Sequence, residues 1–248
     1  MNSLLTVENL SKSFGALRAC DGVDFDVREG ETHAVIGPNG AGKTTFISQL
    51  AGMLRPDSGR IRFAGEDITS LPAPRRARKG LARSFQITSV YAEFSALENV
   101  ALAVQARSGH SFRFWADARS DASLVTPAME ILDEVGLGPR KNILAANLAH
   151  GEQRQLEVAM ALATRPRLLL LDEPMAGMGT EESQRMVGLL GGLKRRQTII
   201  LVEHDMDAVF RLADRISVLV SGRVIATDSP EKIIMNEEVR KAYLGEDA

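Results

Sequence analysis

The sequence has 248 residues, of which 44% are hydrophobic and 25% charged, and its formal net charge is −2. These values exclude a disordered chain and give no basic footprint of the kind that nucleic-acid-binding domains carry. The single cysteine, Cys20, excludes an intrachain disulfide and a cysteine-based metal site, and favours a reducing compartment. No apolar stretch approaches the ~20 residues that a membrane-spanning helix needs. One α/β core with an inserted or appended subdomain fits this length best.

The predicted secondary structure starts with strands. Turn signals separate short β segments near the N-terminus, and one strand leads directly into a glycine-rich turn. An apolar stripe at helical spacing between Ile47 and Leu54 then predicts a helix. The strands of this part are expected at residues 4–27, with turns at 14–15 and 21–22, and at 32–36 and 59–64.

The middle of the chain, residues 87–163, is predicted to be mostly helical. Thr126 and Pro127 fit the N-cap and first position of a helix that runs to about residue 135. A second helix is expected to start near Gly151. After residue 167, strands are expected at 168–171, 198–202, 216–220 and 224–227, with helices from 180 and after 204. The whole pattern predicts an α/β core interrupted by a helical subdomain.

The glycine-rich turn after the strand at 32–36 carries the pattern G-x-x-x-x-G-K-[ST] of a P-loop. Its backbone N–H groups would surround a β-phosphate, and the helix N-terminus adds partial positive charge. Lys43 would reach the β- and γ-phosphate oxygens, and the Thr44 hydroxyl would bind Mg²⁺. The alternative is a turn that merely joins strand to helix, but the flanking elements favour the P-loop. The predicted nucleotide contacts here are Gly37, Pro38, Asn39, Gly40, Ala41, Gly42, Lys43, Thr44 and Thr45.

Two acidic residues follow a run of four leucines at the end of a predicted buried strand. Asp172 would hold Mg²⁺ through water, and Glu173 could accept the proton of an attacking water molecule. Acids at a strand end can also be merely solvated. Their position downstream of a P-loop favours the metal and catalytic roles.

Four further segments resemble one protein family. Residues 148–154, Leu-Ala-His-Gly-Glu-Gln-Arg, are similar to the signature motif of ABC-transporter ATPases and precede the acidic strand as in that family. Gln86 resembles the Q-loop glutamine, His204 the switch histidine, and Phe14 the aromatic residue that stacks on adenine. The resemblance covers the whole chain, with all motifs in order. It is greatest to the LivG-type ATPases of branched-chain amino-acid importers, at residues 36–45, 98–100 and 173–178.

The resemblance implies that ATP, with Mg²⁺, lies between the P-loop of one subunit and the signature loop of another. Glu173 would activate water, His204 would bind the γ-phosphate, and Gln86 would report the bound nucleotide to a membrane partner. The metal site would comprise Thr44, Gln86 and Asp172. The contacts from the signature loop to the nucleotide would come from Ala149, His150, Gly151, Glu152 and Gln153.

Two departures from the family pattern bear on this mechanism. Ala149 and His150 stand where the family usually has Ser and Gly, so the serine hydroxyl contact to the γ-phosphate is missing. Losing one neutral hydrogen bond should cost ~1 kcal/mol. Gly179 stands where the D-loop usually carries Asp or Asn, and this predicts altered communication between the two sites of a dimer.

The predicted fold class is α/β: a P-loop NTPase core with an antiparallel β subdomain and an inserted helical subdomain. The whole chain, residues 1–248, would form one ABC ATPase domain. The core and β subdomain are predicted at residues 1–86 and 164–235, the helical subdomain at 87–163 and a C-terminal tail at 236–248.

The resemblance implies an ATP-hydrolysing subunit that powers uptake of branched-chain or other hydrophobic amino acids. Its expected partners are ATP, a second ATPase subunit in a homo- or heterodimer, two transmembrane permease subunits and a periplasmic substrate-binding protein, with no nucleic acid. Its expected location is the cytoplasmic face of the inner membrane, as a peripheral protein.

Three alternatives stay open at this point. One is the same ATPase with another cargo, such as lipopolysaccharide export or urea or amide uptake. Another is a soluble ABC protein acting on nucleic acid or ribosomes, which usually needs two ATPase domains or a long coiled-coil insertion. The last is a P-loop GTPase, which is disfavoured because no Asn-Lys-x-Asp string occurs in the sequence.

For residues outside these motifs, we expect structural roles first. The basic run at 75–79 is predicted to be the solvated face of a short helix, with contact to anionic lipid as the alternative. His33 is expected to pack in a strand near the P-loop, and Cys20 to be buried or half-buried. Aromatic residues in a polar insertion are expected to pack onto the helical subdomain or onto a partner: Phe112, Phe114 and Trp115.

Overall fold

The computed structural model describes residues 3–84, 90–108 and 121–244. The contacts within the chain divide it into two compact units. One comprises Met1–Leu81, Arg167–Glu173 and Leu193–Ala248, and the other comprises Ala82–Pro166 and Pro174–Gly192. The predicted boundaries of core, helical subdomain and tail remain a prediction.

The described residues contain ten strands, and those predicted from the sequence lie within a few residues of their expected positions. In chain order they are β1 Ser3–Phe14, β2 Leu17–Arg28, β3 Thr32–Ile36, β4 Ser58–Phe63, β5 Glu66–Asp67, β6 Leu81–Arg83, β7 Leu168–Asp172, β8 Thr198–Val202, β9 Arg215–Val220 and β10 Arg223–Asp228.

Nine α-helices occur within the same described ranges. They are α1 Lys43–Leu50, α2 Ala73–Arg78, α3 Ala96–Ser108, α4 Ala122–Glu134, α5 His150–Ala163, α6 Thr180–Leu193, α7 Met206–Leu212, α8 Pro230–Met235 and α9 Glu237–Leu244. None of these described helices combines the length and the apolar character required to span a bilayer.

The first unit contains two sheets. Strands β2-β1-β4-β5 form an antiparallel sheet, and the second sheet contains β10-β9-β3-β8-β7 in this order. In the second sheet β3 pairs in parallel with both β8 and β9, and β7 pairs in parallel with β8. Every residue of β3, β7 and β8 is buried, which explains why these strands are nearly continuous runs of aliphatic side chains.

The second unit is helical. Helices α3, α4 and α5 enclose an apolar cluster that includes Val100, Ala128, Leu132 and Leu156. The apolar face of α5 contributes to this cluster, because Leu156, Ala159 and Ala163 recur at helical spacing and are all buried.

The predicted turn at residues 21–22 is wrong, because both residues lie inside β2. Asp-Gly is a common turn pair, yet here the flanking residues on both sides pair with β1. The register shifts on either side, and Gly22 has a φ of 67° while its N–H donates to Ser11 Oγ at 3.0 Å. The glycine therefore accommodates an irregularity in a continuous strand.

The predicted start of α4 is also wrong. Asp121, not Thr126, is the N-cap, and its carboxylate accepts a hydrogen bond from Ser123 N–H at 2.9 Å. Pro127 lies inside the helix, where it removes one backbone donor. The helix begins at Ala122, before the predicted cap, and the burial of Leu124 favours this extension.

The basic run is only partly solvated. Arg75 and Arg78 are exposed, as predicted, but Arg76 is 1% exposed. Its guanidinium donates to the carbonyl oxygens of Gln49 at 2.7 Å and Leu50 at 2.8 Å, which lie at the end of α1. Arg76 therefore satisfies the last carbonyls of the helix that follows the predicted P-loop, and the prediction of a solvated face is wrong for this residue.

The predictions for His33 and Cys20 are confirmed. His33 is fully buried in β3, and its Nε2 lies 2.8 Å from Ser217 Oγ. Cys20 is buried in β2 beside Gln49 Nε2, at 3.1 Å, and burial raises the pKa of its thiol to about 11. The aromatic residues Phe112, Phe114 and Trp115 lie outside the described residues.

Candidate functional site

The carboxyl ends of three neighbouring strands lie level with one another in the first unit. Val35 of β3 pairs with Val202 of β8, and Val202 pairs with Asp172 of β7. The residues that follow these strands therefore emerge at one edge of the sheet, which is where open parallel sheets hold their ligands. The glycine-rich loop follows β3, Glu173 follows β7 and His204 follows β8.

The loop between β3 and α1 needs glycine for steric reasons. A Cβ at Gly37 would lie 2.0 Å from the carbonyl oxygen of Leu219, and one at Gly42 would lie 2.0 Å from that of Ala19. Gly42 has a φ of 102° and Gly40 a φ of 79°, both in the region that favours glycine. These requirements fix the backbone of the loop against two strands and explain the glycine spacing.

Lys43 begins α1 and turns back over the loop. Its Nζ donates to the carbonyl oxygens of Gly37 at 2.7 Å and Pro38 at 3.1 Å. Burial lowers the pKa of Lys43, and the negative charges of Glu173 and Asp172 oppose this shift. The ammonium group is thus held by two neutral carbonyl acceptors and lies close to two carboxylates.

Asp172 and Glu173 differ in exposure although they are adjacent. Asp172 is 2% exposed at the end of β7, whereas Glu173 is half-buried. Glu173 has a φ of 51°, which is unusual for a residue other than glycine, and its N–H donates to the carbonyl oxygen of Val202 at 2.9 Å. Such backbone strain is concentrated at functional sites, and here it directs Glu173 away from the strand.

The donor set near the P-loop fits magnesium. Thr44 is exposed in the first turn of α1, and the carboxylate of Asp172 lies at the end of a strand of the same sheet edge. Hydroxyl and carboxylate oxygens are the protein ligands that Mg²⁺ takes when substrate phosphates and water complete its shell. Gln86, which is also predicted to bind the metal, lies outside the described residues.

His204 follows β8 and its side chain is 65% exposed. The residue before it, Glu203, is 1% exposed, and its Oε2 accepts a hydrogen bond from His204 N–H at 3.1 Å. The same oxygen lies 3.8 Å from His204 Nδ1. No role was predicted for Glu203, although an acidic residue directly before the histidine is visible in the sequence.

Phe14 lies at the end of β1, beside the turn to β2. Its side chain is 50% exposed, and Lys12 Nζ lies 5.7 Å from the centroid of its ring. An exposed aromatic face at the tip of a hairpin is available to stack on a planar ligand.

The segment that resembles the signature loop lies in the second unit, where α5 begins at His150 with Ala149 as its N-cap. Ala149 has no side-chain oxygen to cap the helix, but Glu152 Oε2 accepts a hydrogen bond from Ala149 N–H at 3.0 Å. Gln153 Nε2 donates to the carbonyl oxygen of Ala145 at 3.0 Å. Glu152 and Gln153 therefore hold the loop, while Ala149 and His150 are exposed.

Gly151 is buried and its N–H donates to Oε1 of Glu182 at 3.3 Å. The other oxygen of this carboxylate, Oε2, accepts a hydrogen bond from Gly179 N–H at 3.3 Å. Glu182 is half-buried in the first turn of α6. No role was predicted for Glu182, because adjacent glutamates at a helix start indicate only favourable interaction with the helix dipole.

Each unit thus gathers one group of the predicted residues. The first unit brings together the loop at 37–45, Asp172, Glu173 and His204 at one sheet edge and carries Phe14 on a hairpin. The second unit holds residues 149–153. A family model described as "ABC transporter" matches residues 20–176, more than half of the chain.

The chain belongs to the ABC transporter ATP-binding family. A second family model, described as "Branched-chain amino acid ATP-binding cassette transporter", matches residues 223–248. The predicted ABC ATPase fold and the ATPase activity are therefore confirmed.

Curated relatives match over almost the full length. The high-affinity branched-chain amino acid transport ATP-binding protein BraF of Pseudomonas aeruginosa is 40% identical, with 98% of each chain covered. The corresponding protein LivG of Escherichia coli K12 is 37% identical, also with 98% of each chain covered. The predicted resemblance to LivG-type ATPases is confirmed.

A solved structure supports the fold over the same length. The ADP conformation of an ATP-binding cassette of an ABC transporter superposes with a TM-score of 0.87 at 29% identity, covering 99% of this chain and 100% of that chain.

Proposed function

We propose that this chain is the ATPase subunit of an importer for branched-chain or other hydrophobic amino acids. The observation that carries the proposal is the full-length similarity to BraF and LivG, together with the branched-chain family model at the C-terminal end. That C-terminal match favours this cargo over lipopolysaccharide, urea and amides. We further propose two permease subunits, a periplasmic binding protein and a peripheral location on the cytoplasmic face of the membrane.

The P-loop and Lys43 bind the phosphates of ATP. The amides of residues 37–45 surround the β-phosphate, and Lys43 exchanges its carbonyl acceptors at Gly37 and Pro38 for β- and γ-phosphate oxygens. A phosphate oxygen is a stronger acceptor for an ammonium group than a backbone carbonyl, because both partners are charged. Phe14 stacks on the adenine ring from the hairpin tip.

The strand ends carry the chemical step. Thr44 and Asp172 would hold Mg²⁺, which would neutralise negative charge on the phosphates when it is bound. Glu173 accepts the proton of the attacking water molecule, and His204 donates a hydrogen bond to the γ-phosphate. Gln86 completes the metal site and connects it to the permease.

The site is completed by a second ATPase subunit, whose signature loop contributes the Gly151 N–H to the γ-phosphate. This arrangement requires dimers, so hydrolysis by the purified chain should rise faster than linearly with protein concentration until dimers saturate. Specific activity that is independent of concentration would contradict the composite site.

A mixing experiment tests the same proposal with two variants. Gly151→Asp puts a carboxylate against the γ-phosphate, where two like charges about 4 Å apart in a partly desolvated cleft repel by roughly 4 kcal/mol. This variant should bind ATP and fail to hydrolyse it. Mixing it with Lys43→Ala chains should restore partial activity, because one of the two sites in a mixed dimer carries neither change.

Gly192→Asp is the matched control for the charge, because a Cβ at Gly192 meets no atom within 4 Å. It should keep full activity. If the natural partner is a different ATPase, the two changes are divided between the two proteins. A fully active Gly151→Asp chain would refute the composite site.

The cargo is tested in the assembled membrane complex. With the periplasmic binding protein present, ATP-dependent uptake of radiolabelled leucine should occur with the wild-type chain and disappear with Lys43→Ala. ATP hydrolysis that no branched-chain or hydrophobic amino acid stimulates, without uptake, would refute the cargo and leave the ATPase assignment intact.

A further inference from the structure

One carboxylate joins two loops of the second unit. Glu182 accepts the Gly151 N–H through Oε1 and the Gly179 N–H through Oε2, both at 3.3 Å. Gly151 belongs to the signature loop and Gly179 to the D-loop, and the hydrogen bond from Gly151 to Glu182 spans 31 residues of sequence. The contact is therefore a tertiary link between two functional segments.

Glu182 also occupies the space that a side chain at position 151 would need. A Cβ added to Gly151 would lie 2.7 Å from Oε1 and 2.8 Å from the carboxylate carbon of Glu182. Glycine at this position thus lets the carboxylate approach the amide directly. At position 179 a Cβ meets nothing within 4 Å, so the D-loop contributes only its backbone N–H to the link.

The Gly151 amide has one hydrogen, and two negatively charged groups can accept a hydrogen bond from it. In the composite site proposed above, the acceptor is a γ-phosphate oxygen of the ATP held by the other subunit. In the single chain, the acceptor is the carboxylate of Glu182. Both acceptors are negatively charged, so they repel each other and cannot share the one hydrogen at full strength.

We propose that Glu182 competes with the γ-phosphate for the Gly151 N–H: its carboxylate accepts this hydrogen bond in the single chain and loses it when ATP closes the composite site. Until then, Glu182 keeps the signature loop and the D-loop in one arrangement. Closing the site with ATP therefore includes release of this hydrogen bond. The inference rests on the proposed composite site.

The test compares the ATP concentration needed for pairing. All chains carry Glu173→Gln, so that ATP is not consumed, and ATP-dependent dimerisation of the purified chain is followed by size-exclusion chromatography with light scattering. If the chain does not pair with itself, the same experiment uses the second ATPase subunit of its complex. Glu182→Ala should lower the ATP concentration at half-maximal pairing about fivefold to tenfold. This is the effect expected when a hydrogen bond to a charged group in a half-exposed position no longer has to be broken. Glu182→Asp keeps the charge but shortens the side chain, and it should behave like Glu182→Ala.

Glu181→Ala is the matched control, because Glu181 is also in the first turn of α6 and is exposed. It should leave the ATP requirement unchanged. If Glu182 only stabilises the loop, Glu182→Ala will need as much ATP as Glu181→Ala or more, and that result would overturn the proposal.

The contact itself is measured in the isolated chain by the backbone amide proton shifts of Gly151 and Gly179. Both protons should move upfield in Glu182→Ala and stay in place in Glu181→Ala, and unchanged shifts in Glu182→Ala would also overturn the proposal. This measurement needs no hydrolysis. Normal ATP-driven pairing with no effect of Glu182→Ala would refute the role of Glu182 and leave the proposed function standing, whereas failure of the mixing experiment would refute both.

Discussion

The two units position their functional residues in different ways. In the first unit the residues follow strands whose ends are aligned by backbone pairing, as in the ladder of Val35, Val202 and Asp172. In the second unit the signature loop is held by side chains, with Glu152 on the Ala149 amide and Glu182 on the Gly151 amide.

This difference explains how the two regions respond to substitution. A backbone ladder keeps its geometry when side chains change, so the proposed reacting groups of the first unit can be replaced with little movement of the loop. A loop held by carboxylates depends on particular side chains. The second unit can therefore lose the signature serine at Ala149 and still keep its helix start, because Glu152 supplies one of the contacts.

The largest expected effect comes from changing the side chain of a proposed reacting group while its backbone contacts stay in place. Glu173→Gln should leave ATP binding intact and reduce turnover about 100-fold to 10,000-fold, the usual worth of a positioned general base. The Glu173 N–H bond to Val202 does not involve the side chain, so the loop should not move. Single-turnover hydrolysis measures the chemical step, and a nucleotide titration measures ATP binding. Near-normal turnover would show that another residue is the general base.

The second prediction concerns Arg76, an exception in the first unit because its side chain, not backbone pairing, holds the end of α1. Arg76→Met should lower the free energy of unfolding by about 2–3 kcal/mol, because the carbonyl oxygens of Gln49 and Leu50 lose the guanidinium donor, while the Gln49 oxygen keeps the Gly52 N–H at 3.1 Å. Arg75→Met, at an exposed neighbouring position, should change it by less than about 0.5 kcal/mol. Urea unfolding of the isolated chain measures both, and equal losses would show that the contacts of Arg76 contribute nothing.

The third prediction uses His33, the buried histidine of β3 in the second sheet. Burial lowers the pKa of His33 from 6.5 to about 3, so below pH 6.5 the unfolded chain binds a proton that the folded chain does not. Stability is therefore expected to fall as the pH is lowered from 6.5 towards 3, by up to about 1.4 kcal/mol per pH unit. His33→Gln should reduce this slope in unfolding experiments between pH 7 and 5, and an unchanged slope would contradict the prediction.

The smallest effect should come from restoring a side chain to the signature loop. Ala149→Ser supplies an N-cap oxygen to α5 and should stabilise the isolated chain by about 0.5–1 kcal/mol. The same hydroxyl can reach the γ-phosphate in the composite site, so the ATP concentration for half-maximal hydrolysis should fall by a few-fold. Thermal unfolding and ATPase titration measure the two effects separately, and a loss of stability would show that Ala149 is required for packing.

The sequence by itself determined the family and the positions of the buried parallel strands, and it predicts the residues of the P-loop. These features are local, because a P-loop needs eight successive residues between a strand and a helix, and a buried parallel strand is a continuous aliphatic run. The predicted strands at 32–36 and 198–202 agree with β3 and β8 at both ends for the same reason.

Only the tertiary structure decided which charged residues are buried and what they hold. Arg76 contacts Gln49 across 27 residues, and Glu182 contacts Gly151 across 31. In the sequence, Arg76 is one of several basic residues in a row and Glu182 one of two glutamates, so nothing local separates them from their solvated neighbours. The distinction arises because distant segments pack against one member of each group, and the free energy of burying a charge depends on the partners that those segments supply.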